Sequence, residues 1–490
     1  MMNGKSYIEF RVSSFLTSHL QKMEGSSSTA LKWIVTGGGI AGLTCAYLLK
    51  KGGHCVTVLE KHSRYEQLAN QDGGVRIPPN MTRLLQELPG AKKLLKERAM
   101  KCVGVFFYQC NAKATTQQSF VGKMDFAEEI MSRSRIPSSS ISSTLCINAG
   151  VEIRHEFEVI EIISTKDDPN SYGLTVVGTC GQRITGDIVV GADGKNSVTR
   201  KVLLAEEKEE EEDSLDMNDS ILPPMKEITG VTMSIPVSLM QRDPELASFL
   251  KEENYGWLFM GNGTSIALSQ HGPDLYLIDL TYGMPPREDD QDDEWLSGGT
   301  PVEKVLERVK EYDPRIKKLI RLASTSHWCI QTVYNLPRHI SKLGELVLIG
   351  DAAHSIYFEE AFTLGRLFSV PSCNFKENAS FLLNEYQQIH QKRTRALEVN
   401  GMDTVVLLGL LPGPEREGRN NGFRLTLDLE GADDATLEQV WAGYIAQFNY
   451  DARDAVDEWC MNCVSVANLD VSITTAKSSH RSFFHKLSLR

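Results

Sequence analysis

A short apolar run, Leu31-Lys-Trp-Ile-Val-Thr36, passes without a break into Gly37-Gly-Gly-Ile-Ala-Gly42. Each glycine of a Gly-x-Gly-x-x-Gly loop answers a separate demand. Gly37 permits the tight turn out of a strand, Gly39 lets the backbone approach a pyrophosphate, and Gly42 lets the next helix pack close to that strand. The pattern alone is weak, and its setting makes it informative. Leu43 to Lys50 has helical periodicity, Gly52-Gly53 should stop the helix, and Cys55-Val-Thr-Val-Leu-Glu60 reads as a second buried strand. The spacing predicts a complete βαβ unit with parallel strands. Glu60 ends the second strand, 18 residues past Gly42. A carboxylate there accepts hydrogen bonds from an adenosine ribose and repels a 2′-phosphate. The expected ligand is FAD or NAD rather than NADP, its diphosphate resting on the helix N-terminus.

The chain has 490 residues, room for two to four domains. Its 52 basic and 64 acidic residues leave a net charge of −12, with no concentrated basic patch, which argues against a nucleic-acid partner. No run approaches the roughly 20 apolar residues of a membrane span. Val405 to Leu411 is short and meets Pro412-Gly-Pro414. The first thirty residues mix Lys5, Glu9, Arg11, Lys22 and Glu24 with serines and read as a disordered extension rather than a secretory signal. Ten scattered cysteines point to a reducing, cytoplasmic setting, with organellar targeting left open. Cys460-Met-Asn-Cys463 follows a polar-faced helix and lacks two further ligands, so no metal is expected.

Beyond the βαβ unit, Val151-Glu-Ile-Arg, Glu158 to Ile163 and Gly173 to Gly178 alternate as strands do. Glu206 to Asp219 and Asp289 to Glu294 are acidic runs, expected as solvated loops. The chain between them is strand-rich, turns helical from Pro301, returns to a strand at Glu345-Leu-Val-Leu-Ile-Gly350, and is then mostly helical. Two further motifs fit this frame. Val189-Val-Gly-Ala-Asp193-Gly194 leads through Lys-Asn-Ser197 into Val198-Thr-Arg200, a strand, turn and helix with a structural and a ligand-binding reading equally open. Leu346-Val-Leu-Ile-Gly350-Asp351-Ala-Ala-His354 delivers an aspartate at the carboxyl end of a buried strand, where open α/β sheets bind ligands.

In this order the three motifs resemble the flavin-dependent aromatic monooxygenases of the salicylate-hydroxylase and para-hydroxybenzoate-hydroxylase type, the fungal secondary-metabolite branch most of all. The resemblance runs from about Leu31 to Trp459, and Asp72-Gly-Gly74, Arg133 within Met131-Ser-Arg-Ser, and Trp328 with Leu336 fit it. It implies that Gly37, Gly39, Gly42, Glu60 and Arg133 bind the ADP half of FAD and that Gly74 makes a backbone contact. Asp351 would hold the ribityl chain, and Asp193 and Gly194 would serve both flavin and nicotinamide docking. NAD(P)H would be the electron donor, and O2 and a small aromatic or polyketide-like metabolite the co-substrates. The implied fold is α/β: a three-layer Rossmann-like FAD domain over 31–205 and 326–400, an inserted β-sheet substrate domain over 206–325, and a helical region over 401–490, with 1–30 as extension.

Two places depart from that pattern. After His354 the family continues with a proline and a Gly-x-Gly loop, whereas Ser355-Ile-Tyr-Phe here runs directly into Glu359-Glu360-Ala361-Phe362, so that loop is missing. After Thr229-Gly230 the family's aromatic–arginine pair is replaced by Val231-Thr-Met-Ser, and serines stand in Gly261 to Ser269 where His and Tyr are usual. No catalytic acid or base is nominated. His354 reads as structural, and Tyr255 has nothing to recommend it over its neighbours. The alternatives to a monooxygenase are an FAD oxidase or dehydrogenase, or a family member that folds without catalysing.

Overall fold

The computed structural model describes residues 30–462 except 70–74, 99, 101, 111–119, 127–133, 137–144, 165–172, 214–225, 253, 283–301, 324, 334–335, 355–358, 371–372, 428 and 430–431. The leading extension, Gly74, Arg133, the acidic run Asp289 to Glu294, Ser355 to Phe358 and Cys463 lie outside the described residues.

The βαβ unit forms as predicted: β1 (Lys32–Thr36), α1 (Ile40–Lys51) and β2 (Cys55–Leu59). With β3 (Glu152–Arg154), β4 (Ile188–Gly191) and β5 (Leu346–Leu348) the strands make a five-stranded sheet, order β5-β4-β1-β2-β3. Every pairing in it is parallel. Its central strands are buried on both faces, which is why they read as continuous apolar runs rather than alternating ones. Trp33, Val35, Val58, Val190 and Val347 pack with Leu43, Ala46 and Leu49 of α1 and with Phe362, Leu364 and Leu367 of a later helix, α3 (Glu359–Leu367). Ile34, Leu59, Val189, Leu346 and Leu348 face the other way, onto Leu203 of α2 (Val198–Asp213) and onto Leu174 and Val176 of a three-stranded antiparallel sheet. Full burial of each such side chain is worth about 1.5–3 kcal/mol.

A second, seven-stranded sheet has the order Thr325–Val333, Lys226–Pro236, Leu275–Tyr282, Thr264–Gln270, Tyr255–Met260, Gly104–Gln109, Phe120–Asp125. One face buries Val231, Met233, Ile235, Trp257, Phe259, Ile278 and Leu280 against helices Pro244–Lys251, Val302–Arg308 and Pro314–Arg321. Asp243 and Asp313 cap the first and third of these helices. The other face meets the helical region through Phe107, Met260 and the partly buried Leu258. There α4 (Phe375–Leu408) contributes Leu408, α5 (Pro414–Leu425) Phe423, and α6 (Asp434–Phe448) Trp441, Tyr444 and Phe448.

Three expectations need correction. The acidic run does not begin as a loop: α2 continues through it to Asp213, because Glu, Lys, Ala and Leu are strong helix formers and no glycine or proline interrupts them. Gly104–Gln109 and Phe120–Asp125, inside the stretch assigned to the first part of the flavin domain, belong to the seven-stranded sheet, where Gly104–Gln109 pairs in parallel with Tyr255–Met260. At the far boundary, Thr325–Val333 also stays in that sheet, paired with Lys226–Pro236, and α4 runs unbroken across position 400.

Candidate functional site

Parallel pairing sets the three motifs side by side. Thr36 lies opposite Gly191 and Gly191 opposite Leu348, so the chain leaves three neighbouring strands at one edge of the sheet. Glu60 leaves β2 on the far side of β1.

At the centre is the glycine loop. Gly37 has φ +102° and sits so close to the next turn that a Cβ would lie 2.2 Å from the Ala192 carbonyl oxygen. A Cβ on Gly42 would lie 2.1 Å from the Gly37 oxygen, the close helix–strand approach the motif calls for. Gly39 is the opposite case: nothing stands within 4 Å of where its Cβ would be. Gly39 is also the N-cap of α1, no side chain caps that terminus, and its first turn carries no acid. The first N–H groups of a helix have no intrahelical acceptor and sit at the positive end of its dipole. Open space, free donors and positive potential thus coincide, and the residues fit a pyrophosphate.

Glu60 is buried and turned back over the loop, accepting from the Gly38 N–H at 2.7 Å and from the backbone and ring nitrogens of His62 at 2.9 and 2.8 Å. Asp193 proves to be consumed by its own turn. Its Oδ1 accepts from the Ser197 and Thr199 hydroxyls, both at 2.6 Å, and its Oδ2 from the Val198 and Thr199 N–H groups at 2.8 and 3.1 Å. That carboxylate caps α2 rather than presenting an oxygen to a ligand. Gly194, at φ +76° with open space around it, turns the chain there.

Arg200, buried in the first turn of α2, was not singled out by sequence reasoning. It donates to the Asp351 and Ala352 carbonyls at 3.1 and 2.9 Å and to the Lys195 carbonyl. It therefore ties the second motif to the third. Asp351 is solvent-accessible, yet protein surrounds it on most sides. Desolvation raises its pKa, Glu360 adds to the rise, and Lys195 and Arg200 oppose it.

The missing loop is not replaced by anything described, and α3 starts at Glu359 and packs on α1, where a Cβ on Gly365 would lie 2.5 Å from Leu48. Below the Gly-Asp turn the core holds a group of charged and polar side chains. His354, Glu360 and His390 are each 2% exposed or less, and Glu360 accepts from the Gly350 N–H at 2.5 Å. The His354 and His390 Nε2 atoms each stand 3.5 Å from a Glu360 oxygen. Burial pushes both imidazoles, and that of neighbouring His339, down to about 3, so all three are neutral. His354 alone drew notice in the sequence, and nothing in the spacing pairs it with His390.

On the second sheet, the face toward the helical region carries Thr232, whose hydroxyl donates to Asp279 at 2.9 Å, where the family's arginine is lacking. A cavity of about 280 Å³ opens beside the strand Tyr255–Met260, lined by Cys102, Phe107, Tyr255, Leu258, Leu408 and Tyr444 among others. The Tyr255 hydroxyl donates to Asp125 at 2.6 Å. Among the described residues no helix is long and apolar enough to cross a membrane, and Cys45, Cys55, Cys102, Cys110, Cys146, Cys180, Cys373 and Cys460 are free thiols.

A parallel sheet with a glycine turn, an uncapped helix N-terminus and the carboxylates of Glu60 and Asp351 along one edge is the frame of a dinucleotide-binding fold. Residues 31–361 match the family described as FAD binding domain, and the chain belongs to it. It is similar to the FAD-dependent monooxygenase OpS4 of Beauveria bassiana, 22% identical over 89% of this chain and 99% of the relative. Hispidin-3-hydroxylase of Neonothopanus nambi is likewise 22% identical, over 75% of this chain and 87% of its own length. Among solved structures, a salicylate hydroxylase substrate complex matches with a TM-score of 0.65 at 19% identity, covering 88% of this chain and 98% of that one, a likeness of fold. With its family and these relatives, the chain is an FAD-dependent monooxygenase.

Proposed function

We propose that this enzyme uses NAD(P)H and O2 to hydroxylate or epoxidise a small aromatic or polyketide-like metabolite in a cytoplasmic setting, with FAD held along the carboxyl edge of the five-stranded sheet. The observation that carries the placement is the open space over Gly39 at the uncapped N-terminus of α1. When bound, FAD supplies the redox and oxygen-transfer chemistry. Gly37 and Gly42 hold the loop in shape, and Gly39 admits the pyrophosphate. Glu60 takes the adenosine ribose by exchanging its bonds to His62. Asp351 takes the ribityl hydroxyls, and its turn is kept in place by Arg200. Asp193 acts indirectly: by capping α2 it fixes the Gly194 backbone beside the cofactor. For Gly74 and Arg133, outside the described residues, the proposal rests on the resemblance alone.

Phe107, Trp257, Leu258 and Tyr444 in the cavity wall favour a flat, largely apolar substrate, and Asn254, Ser269 and Gln270 offer it polar contacts. A phenol arriving as phenolate needs no protein base, so the lack of an evident one is compatible with hydroxylation. Purified protein should be yellow, oxidise NAD(P)H faster when a substrate phenol is added, and place labelled oxygen from O2 in the product. Labelled hydrogen peroxide without labelled product would make it an oxidase. Colourless protein that cannot be reconstituted with FAD would end the proposal.

A further inference from the structure

We propose that His354, Glu360 and His390 supply three ligands of a buried site for a zinc-class divalent cation beneath the Gly-Asp turn, the fourth tetrahedral position falling to a water. The three side chains come from separate elements: His354 follows the turn Gly350–Ala352, Glu360 lies in the first turn of α3, and His390 lies midway along α4. Their ligand atoms all lie within 4.8 Å of one another. Both histidine Nε2 atoms are already 3.5 Å from Glu360 oxygens, close to the separation of two ligands on a tetrahedral ion with bonds of about 2.0–2.1 Å.

A second observation points to a ligand. All four ring nitrogens of His354 and His390, and the Glu360 Oε2 atom, are buried without a hydrogen-bond partner among the described residues. Native interiors rarely leave polar atoms unpaired, because each unmade bond forfeits the solvation the group had in water. A cation at the centre accepts one lone pair from each Nε2 and the charge of the carboxylate, so it accounts for those two nitrogens and Glu360 Oε2 and not for the two Nδ1 atoms. The donor chemistry selects it: two nitrogens and a carboxylate suit zinc, whereas calcium and magnesium require oxygen ligands.

The ion would join the end of β5, the start of α3 and the middle of α4. Glu360 also accepts from the Gly350 N–H, so the clasp reaches the turn that presents Asp351. It would thus brace that turn at the point where the family's Gly-x-Gly loop is missing. The ligands are distant in sequence, with His390 thirty positions beyond Glu360, which is why no ligand spacing is visible there.

The test uses the full-length flavoprotein produced in zinc-supplemented medium, with metal content measured by inductively coupled plasma mass spectrometry after exhaustive dialysis. About one zinc per chain is expected in the wild type, with an at least tenfold loss in His390→Gln and in Glu360→Gln. Wild-type protein loaded with cobalt chloride instead should show visible ligand-field bands of a tetrahedral nitrogen–oxygen site. Substoichiometric zinc in folded, flavin-containing wild type would overturn the proposal. So would full zinc in either variant, or a thiolate-to-cobalt charge-transfer band, each of which places the metal elsewhere, as at exposed Cys55 or Cys180. Should the variants not fold, zinc content and the cobalt spectrum of the wild type decide the matter.

Discussion

Two glycines of one loop separate binding from folding. Gly39 has free space where a Cβ would go and extended backbone at φ −74°, so Gly39→Ala should fold with an unchanged thermal transition. The methyl would stand where the pyrophosphate approaches, and FAD affinity should fall by on the order of tenfold, about 1.4 kcal/mol. Gly42→Ala should do the reverse. Its methyl collides with the Gly37 carbonyl and should cost about 1–3 kcal/mol in urea unfolding before any effect on flavin is considered. Titration of apoprotein with FAD, read by flavin fluorescence, together with denaturation curves, distinguishes the two. Equal stability loss in both variants would remove the basis for assigning Gly39 to the ligand. At this scale the sequence was informative where a residue's demand is local. Gly37, Gly42 and Glu60 stand where their spacing puts them. Asp193 was ambiguous because the same Asp-Gly turn serves either a helix cap or a ligand, and only its four hydrogen bonds assign it to the cap.

Elements were legible when their pattern was self-contained. The βαβ unit and the strand into Gly350 needed nothing beyond periodicity and glycine punctuation. The helical continuation of α2 into the acidic run is hidden by its charge, which suggests a solvated loop although the same residues are strong helix formers. Gly104–Gln109 was hidden for a different reason: its place in the seven-stranded sheet depends on a parallel partner about 150 positions away, which no local signal announces. Arg200 belongs to the same category, being an element-to-element tie. Arg200→Ala leaves the Lys195, Asp351 and Ala352 carbonyls without this donor and should destabilise the protein by about 3 kcal/mol. Hydrogen exchange should quicken at Gly350 to Ala353, and FAD affinity should fall with it. A variant with wild-type exchange in that turn would show that α2 does not hold it.

At the scale of the whole molecule, distant segments close on one another through buried neutral histidines. His54 is the clearest case. Its Nδ1 accepts from the Leu31 N–H at 3.2 Å and its Nε2 donates to the Phe368 carbonyl at 2.8 Å, joining the start of β1 to the end of α3. Protonation would turn the accepting nitrogen into a second donor facing an N–H. Desolvation accordingly lowers the pKa of His54, partly offset by the Phe368 bond. Near about pH 6.5 the unfolded chain binds a proton at this residue more readily than the fold does, so unfolding takes up protons and stability falls as pH falls through that value. His339, His354 and His390, at about 3, act with the same sign. Glu359 and Glu398, raised to about 7 by burial, act against it, since the fold retains protons that the unfolded chain has released above about pH 4.5. A comparison with one variant isolates the His54 contribution from these others. His54→Gln should be less stable than wild type at about pH 7.5, because one of the two bonds is lost. On acidification to about pH 5.5 the gap should narrow, by up to about 1.4 kcal/mol per pH unit below the unfolded value. Urea unfolding of both proteins across that range measures it. A gap that stays constant or widens would mean that His54 is charged in the fold and that its tie to Leu31 is not made through an accepting ring nitrogen.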